Sequence, residues 1–181
     1  MKLYVIRHGE TEWNYLKVMQ GSVDIPLNEQ GKKQAKKLQK LLNNRHFDLI
    51  ISSPLLRAKE TAEIVNKKFK KRIIIDDRLA ERNYGEFEGV KKADFDYFGF
   101  WDYNLDNRYE RAENIKSFYN RVVSFIEELK NKYSEKTILL STHGGICKII
   151  ELYFHPDSKN SNDSKLGAYL PDNAELLEYE L

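Results

Sequence analysis

The 181-residue chain is long enough for one domain with a single sizeable core, and 41% apolar with 32% charged residues excludes a disordered polypeptide. Its 30 Lys and Arg stand against 28 Asp and Glu, too even a balance for a nucleic-acid-binding surface. A lone cysteine, Cys147, excludes an intramolecular disulfide. The apolar neighbours Ile146, Ile149 and Ile150 point to a buried, inert thiol. No apolar run reaches the length of a signal peptide or membrane span, so a cytoplasmic protein with no membrane partner is expected.

Residues 3–6 form a short β-branched apolar run that predicts a buried strand, and Arg7 and His8 follow it directly. Residues 28–44 place Ala35, Leu38, Leu41 and Leu42 at helical spacing, with lysines on the opposite face. Residues 47–51 predict a second buried strand, closed by Ser52-Ser53-Pro54. Ser53 is placed to cap the next helix and Pro54 to occupy its first turn. That helix runs to about Lys68, burying Ala58, Ala62, Ile64 and Val65, and the basic run 67–72 reads as solvated lysines at its end. Residues 73–75 are a third strand, followed by the glycine-containing segment 81–89. The aromatic stretch 95–109 is expected to pack as a helical lid, some of whose rings line a substrate entrance. Residues 114–133 carry the longest helical pattern, with Ile115, Phe118, Val122, Phe125, Ile126 and Leu129 on one face. Residues 137–140 predict a fourth strand, Gly144-Gly145 a turn, and 146–154 an apolar helix. A polar loop at 156–165 and an edge strand at 175–181 complete the chain.

Strands alternating with helices predict an α/β fold, a three-layer α/β/α sandwich with a mostly parallel central sheet, as one domain over residues 1–181. Ligands of such sheets bind outside the carboxyl ends of the strands. There the chain delivers Arg7 and His8 after the first strand, Ser52 through Arg57 after the second, and Thr142, His143, Gly144 and Gly145 after the fourth.

A neutral imidazole attacks phosphorus once the phosphoryl charge is neutralised and the ring is held in one tautomer. His8 is the candidate nucleophile, and Gly9 removes bulk beside it and lets backbone approach a ligand. Arg7 and Arg57 offer planar donors to phosphate oxygens, and His143 adds a second ring. Phosphoryl transfer is catalysed chiefly by positioning and charge stabilisation, which suits this set. The bland reading of Arg57 is an ion pair with Glu60, one turn on. Glu81 is the candidate to protonate the leaving alcohol and later activate water, although Glu86 and Glu88 lie nearby and all three fit a solvated face. No HxxxH or HxH pair joins His8, His46, His143 and His155, so no metal site is expected.

The assembled residues resemble the histidine phosphatase superfamily, the phosphoglycerate mutase-like family. Arg7-His8-Gly9-Glu10-Thr11-Glu12-Trp13-Asn14 is similar to its RHGxTxxN motif. The segment from Gly21 through Asp24-Ile25-Pro26-Leu27 to Gly31 is similar to GxxDxPLxxxG, and Gln34-Ala35 follow. Ser52-Ser53-Pro54-Leu55-Leu56-Arg57-Ala58 with Thr61-Ala62, Leu79-Ala80-Glu81 through Gly89, and Ser141-Thr142-His143-Gly144-Gly145 match later motifs in order. The resemblance spans essentially the whole chain. It implies a phosphohistidine at His8, phosphoryl binding by Arg7, Arg57 and His143, and proton transfer by Glu81. It also implies lesser substrate contacts at Asn14, Gly21 and Gly144, with no metal and no cofactor. Gly89-Val90-Lys91-Lys92-Ala93-Asp94 is similar to a mutase segment carrying a substrate-binding lysine, which nominates Lys92. Residues at about 84–113 are expected to cap the site.

The expected activity is hydrolysis of a small-molecule phosphate monoester, by a monomer or homodimer with no nucleic-acid partner. Phosphoglycerate mutase-type transfer is the alternative, and a catalytically silent phosphate-binding regulator is a further one. A short chain favours the phosphatase, since the cofactor-dependent mutases carry extra segments over the site. Ala112-Glu113-Asn114 stands where the family often has Gly-Glu-Ser, and Asn caps a helix as well as Ser. A single terminal strand predicts a sheet one strand shorter than in many members.

Overall fold

The computed structural model describes residues 1–105, 109–156 and 165–180. Four parallel strands build its centre: β1 (Lys2–Arg7), β2 (Leu49–Ser52), β3 (Ile73–Ile75) and β4 (Thr137–Thr142). A fifth, β5 (Leu176–Glu180), pairs antiparallel with β1, giving the order β3-β2-β4-β1-β5. Leu181 and residues 157–164 of the expected polar loop lie outside the described residues.

Side chains alternate along a strand, so each strand feeds both faces of the sheet. From β1, Tyr4 and Ile6 enter one core and Leu3 and Val5 the other. The first core is closed by α2 (Glu29–Leu41) and α3 (Leu56–Phe69), which bury Leu38, Ala62 and Val65, with Leu42 just beyond α2. The second is closed by α5 (Ile115–Lys132) and α6 (Gly144–Phe154), through Phe118, Val122, Phe125, Ile126, Ile146, Ile149 and Ile150. Each fully buried Leu, Ile or Phe here contributes roughly 1.5–3 kcal/mol over an exposed one. Three one-turn helices, α1 (Glu12–Tyr15), α4 (Tyr97–Phe100) and α7 (Lys165–Ala168), lie in the connections.

Several boundaries differ from the sequence reading. Ser53 does not cap α3 in the usual sense, and Pro54 precedes the helix. Ser53 Oγ accepts the Leu55 amide at 3.2 Å, while Asp24, from a distant loop, accepts the Leu56 amide at 2.6 Å. No local pattern could show a cap supplied across 32 residues. Gly144-Gly145 is not a turn: α6 begins at Gly144, two residues before the apolar run. Leu41 closes α2 on its solvent side, 58% exposed, and Ile64 is only half-buried. Gly9 makes its close approach to backbone rather than to a ligand, since a Cβ there would collide with the Gly31 carbonyl at the start of α2.

In the aromatic stretch, Phe100 and Trp101 are buried, Trp101 against Phe118 and Phe100 against Tyr84. Phe87 stacks on Phe95 at 4.6 Å between ring centroids. These rings therefore belong to the second core, and of the stretch expected to be helical only Tyr97–Phe100 forms an α-helical turn among the described residues. Asp106, Asn107 and Arg108 of this stretch lie outside the described residues.

Candidate active site

β1, β2 and β4 are neighbours, so their carboxyl ends bring Arg7-His8, Ser52-Ser53 and Thr142-His143 side by side. Backbone bonds lock this edge: the His8 amide donates to Thr142 O at 2.8 Å and the Ser53 amide to Ser141 O at 3.0 Å. The two imidazole rings lie 5.2 Å apart between centroids and are tilted by 58°.

His8 is 3% exposed, and its Nδ1 lies 2.7 Å from the Gly9 carbonyl. A carbonyl only accepts, so Nδ1 carries the proton of the neutral ring and Nε2 holds the free lone pair. Burial, then the charges of Arg57 and Arg7, push the His8 pKa well below the ordinary histidine value. His143 is fully buried and shifted the same way, by burial and then by Arg57 and His8. Its Nε2 lies 2.7 Å from Ser53 Oγ. The Ser53 hydroxyl, already accepting the Leu55 amide, directs its own proton to Nε2, which leaves Nδ1 of His143 as an N–H donor.

The two arginines are held from behind. Arg57, completely buried, donates through Nη1 to Val23 O and through Nη2 to Gly21 O, both at 2.8 Å. Burial lowers its pKa to about 10 against the opposing pull of Glu81, which still leaves it a cation at neutral pH. It forms no pair with Glu60, whose carboxylate instead accepts the Leu27 amide at 2.7 Å. Arg7 donates through Nη1 to Pro171 O at 2.5 Å. Among the described residues, the buried side-chain polar atoms without a hydrogen-bond partner are Arg7 Nε, Arg57 Nε, His143 Nδ1 and Trp101 Nε1. Buried donors without partners are rare in a folded protein. Three of these four belong to the residues that the sequence nominated to hold a phosphoryl group.

Glu81 separates from its neighbours. It is 8% exposed and lines the same cleft, whereas Glu88 is spent on Ser22 and Tyr84, and Glu86 accepts the Glu110 amide. Its Oε2 accepts the Gly145 amide at 2.9 Å and its Oε1 the Arg82 amide at 2.8 Å. The carboxylate thus sits at the positive end of α6. Gly145 is required there: a Cβ would run into Glu81 and the Trp101 ring.

The cleft holds about 960 Å³ and is lined by eight of the nine nominated residues, including Asn14, Gly21, Lys92 and Gly144; the ninth, His143, lies behind its wall with its ring 5.2 Å from that of His8. Gly21 acts through its carbonyl, which anchors Arg57. Asn14 Oδ1 accepts from Thr11 and Asn173, leaving its amide nitrogen as the group to offer a ligand. Lys92 lies with Nζ 3.8 Å above the Tyr97 ring. Exposed Leu16, Phe98 and Leu170 also line the cleft.

Three contributors escaped the sequence reading. Arg82 is buried and donates to the carbonyls of Glu113 and Phe100, with its guanidinium 3.7 Å from the Phe100 ring, which ties the aromatic stretch to the start of α5. Asn173 donates to His8 O at 3.1 Å. Lys148, 1% exposed, lines the cleft. A lysine inside the apolar run 146–154 was the one available signal, for it lies on a face that is otherwise entirely buried.

Known proteins resemble this chain over most of its length. The family model "Histidine phosphatase superfamily (branch 1)" matches residues 3–179. The chain is 34% identical over 140 residues to "Uncharacterized phosphatase PhoE" of Bacillus subtilis, covering 77% of this chain and 70% of that protein. It is 34% identical over 149 residues to "Phosphoserine phosphatase 1" of Hydrogenobacter thermophilus, covering 79% and 71%. The solved structure of Bacillus stearothermophilus YhfR superposes with a TM-score of 0.83 at 29% identity, covering 99% of this chain and 91% of that one.

Proposed function

Because this chain belongs to the histidine phosphatase superfamily, we propose that it is a phosphatase which hydrolyses a small-molecule phosphate monoester through a phosphohistidine on His8. The observation that carries this reading is the bond from His8 Nδ1 to the Gly9 carbonyl, which presents an unprotonated Nε2 beside three unpartnered donors. Nε2 attacks phosphorus, and the P–O bond to the alcohol breaks with its electron pair leaving on oxygen. Glu81 delivers a proton to that oxygen, then takes one from the water that attacks the phosphohistidine. Arg7, Arg57 and His143 Nδ1–H neutralise the equatorial oxygens throughout, in a site where burial strengthens each interaction.

The cleft's size supports a hydrolase, since the alcohol has room to leave and water room to enter. The phosphatases among the relatives point the same way. The test is turnover of p-nitrophenyl phosphate in EDTA by wild type and His8→Ala. Loss of turnover in the variant alone is expected, together with acid-labile phosphate on wild-type protein. Equal turnover in both proteins would falsify the nucleophile. Conversion of 3- to 2-phosphoglycerate with a bisphosphate primer would replace hydrolysis by transfer.

A further inference from the structure

Lys148 has no part in the chemistry above, yet it is buried beside it. It occupies the second turn of α6 and lines the cleft together with Tyr97. Its Nζ donates to the carbonyls of Leu166, Gly167 and Tyr169, the Gly167 contact being 3.4 Å. An ammonium has three N–H donors, so this triad of acceptors satisfies it completely. The accepting carbonyls begin the segment that leads into β5, and the rest of that segment holds the catalytic edge. Pro171 O accepts from Arg7, the Asn173 side chain donates to His8 O, and the Ala174 amide donates to Arg7 O and His8 O at 3.1 and 3.2 Å. Leu170 lies against Gly144.

We propose that Lys148 is a positioning residue, whose ammonium clamps the carbonyls of Leu166, Gly167 and Tyr169 and thereby holds Pro171 and Asn173 against Arg7 and His8. This role for Lys148 rests on the hydrolytic reading of His8. A neutral amine would keep only two donors and turn a lone pair toward the third carbonyl, so the clamp depends on charge. Arg7 on β1, Glu81 after β3, Lys92 and Tyr97 in the lid, Cys147 beside it on α6 and Tyr169 in the clamped segment are the ionisable groups that face Lys148. Burial, then Lys92, lowers the Lys148 pKa to about 7, which puts loss of the clamp in the working pH range. Sequence spacing hides this role, because the partners are main-chain carbonyls.

The experiment compares wild type, Lys148→Met and Lys148→Arg by kcat/KM for p-nitrophenyl phosphate and by calorimetric binding of inorganic phosphate, from pH 6 to 9. At pH 6, Lys148→Met should lose about tenfold or more in both quantities while keeping its melting transition. Arginine stays charged, so the ratio of Lys148→Arg to wild type should rise about tenfold between pH 6 and 9. A flat ratio, or a methionine variant equal to wild type, overturns the proposal; if the methionine variant does not fold, the arginine ratio decides alone. Should wild type and His8→Ala turn over equally, the hydrolytic reading has failed instead. Phosphate affinity then still judges Lys148.

Discussion

Ser53 Oγ and His143 Nε2 lie 2.7 Å apart in a part of the molecule that solvent does not reach. One serine at the end of β2 thus sets the tautomer of a histidine at the end of β4. Ser53→Ala should free that ring to carry its proton on Nε2, turning an acceptor toward the phosphoryl oxygens. One lost oxyanion donor costs about 10²–10³ in kcat, and a buried acceptor left unpaired costs roughly 1–3 kcal/mol of stability. Steady-state kinetics with a thermal melt check both at once. Ser53→Thr, which keeps the hydroxyl, should recover most of the rate.

The Glu81–Gly145 contact yields a second expectation. Glu81→Gln keeps the acceptor oxygen but cannot deliver a proton, so its effect must depend on the leaving group. Hydrolysis of an alkyl phosphate should fall about 10²–10⁴-fold, and hydrolysis of p-nitrophenyl phosphate, whose phenolate leaves unaided, much less. Gly145→Ala should imitate this pattern, because the added methyl must displace the carboxylate or Trp101. A uniform loss across leaving groups would assign Glu81 to binding alone.

How much of this was legible beforehand depends on the range of each interaction. Both cores follow from periodicity: Leu3 to Ile6, Phe118 to Leu129 and Ile146 to Ile150 are buried where alternation and helical spacing placed them. The site was legible because three strand ends must converge once the sheet is parallel. What stayed hidden is held by main-chain groups or distant loops. The cap on α3 comes from Asp24, the anchor of Arg57 from Gly21 O and Val23 O, and the partners of Lys148 from carbonyls in α7 and directly after it. Such acceptors exist at every residue, so side-chain identity carries no trace of them. Spacing alone did not separate Glu81 from Glu86 and Glu88; the family resemblance singled it out, and of the three it is the one that lines the cleft.

Cys147 offers a simple check on the packing around the site. The thiol lies on the buried face of α6, and burial raises its pKa to about 12. A thiol so placed is protonated and shielded at neutral pH. Ellman's reagent should leave the native protein unlabelled over hours and should titrate one thiol per chain in denaturant. Fast labelling of the native fold would mean that α6 opens readily and that Gly144 and Gly145 are not held as described.

The depressed histidines make stability depend on pH with a definite sign. His8 and His143 are neutral and buried in the folded chain, with pKa values well below the usual 6.5. Once unfolded they titrate normally. Below about pH 6.5 the unfolded state therefore binds protons that the folded state refuses, so stability falls with falling pH. Each such histidine contributes a slope of about 1.4 kcal/mol per pH unit between its two pKa values. Urea melts at pH 7, 6 and 5 should show this loss, and His8→Ala should remove about one histidine's share of the slope. The catalytic expectation runs with it: burial and the two arginines hold His8 well below the ordinary histidine value, so kcat should persist at pH values where a free imidazole is already a cation. If kcat instead falls with an apparent pKa near 6.5, the ring is reached by solvent and the burial described here does not hold during turnover.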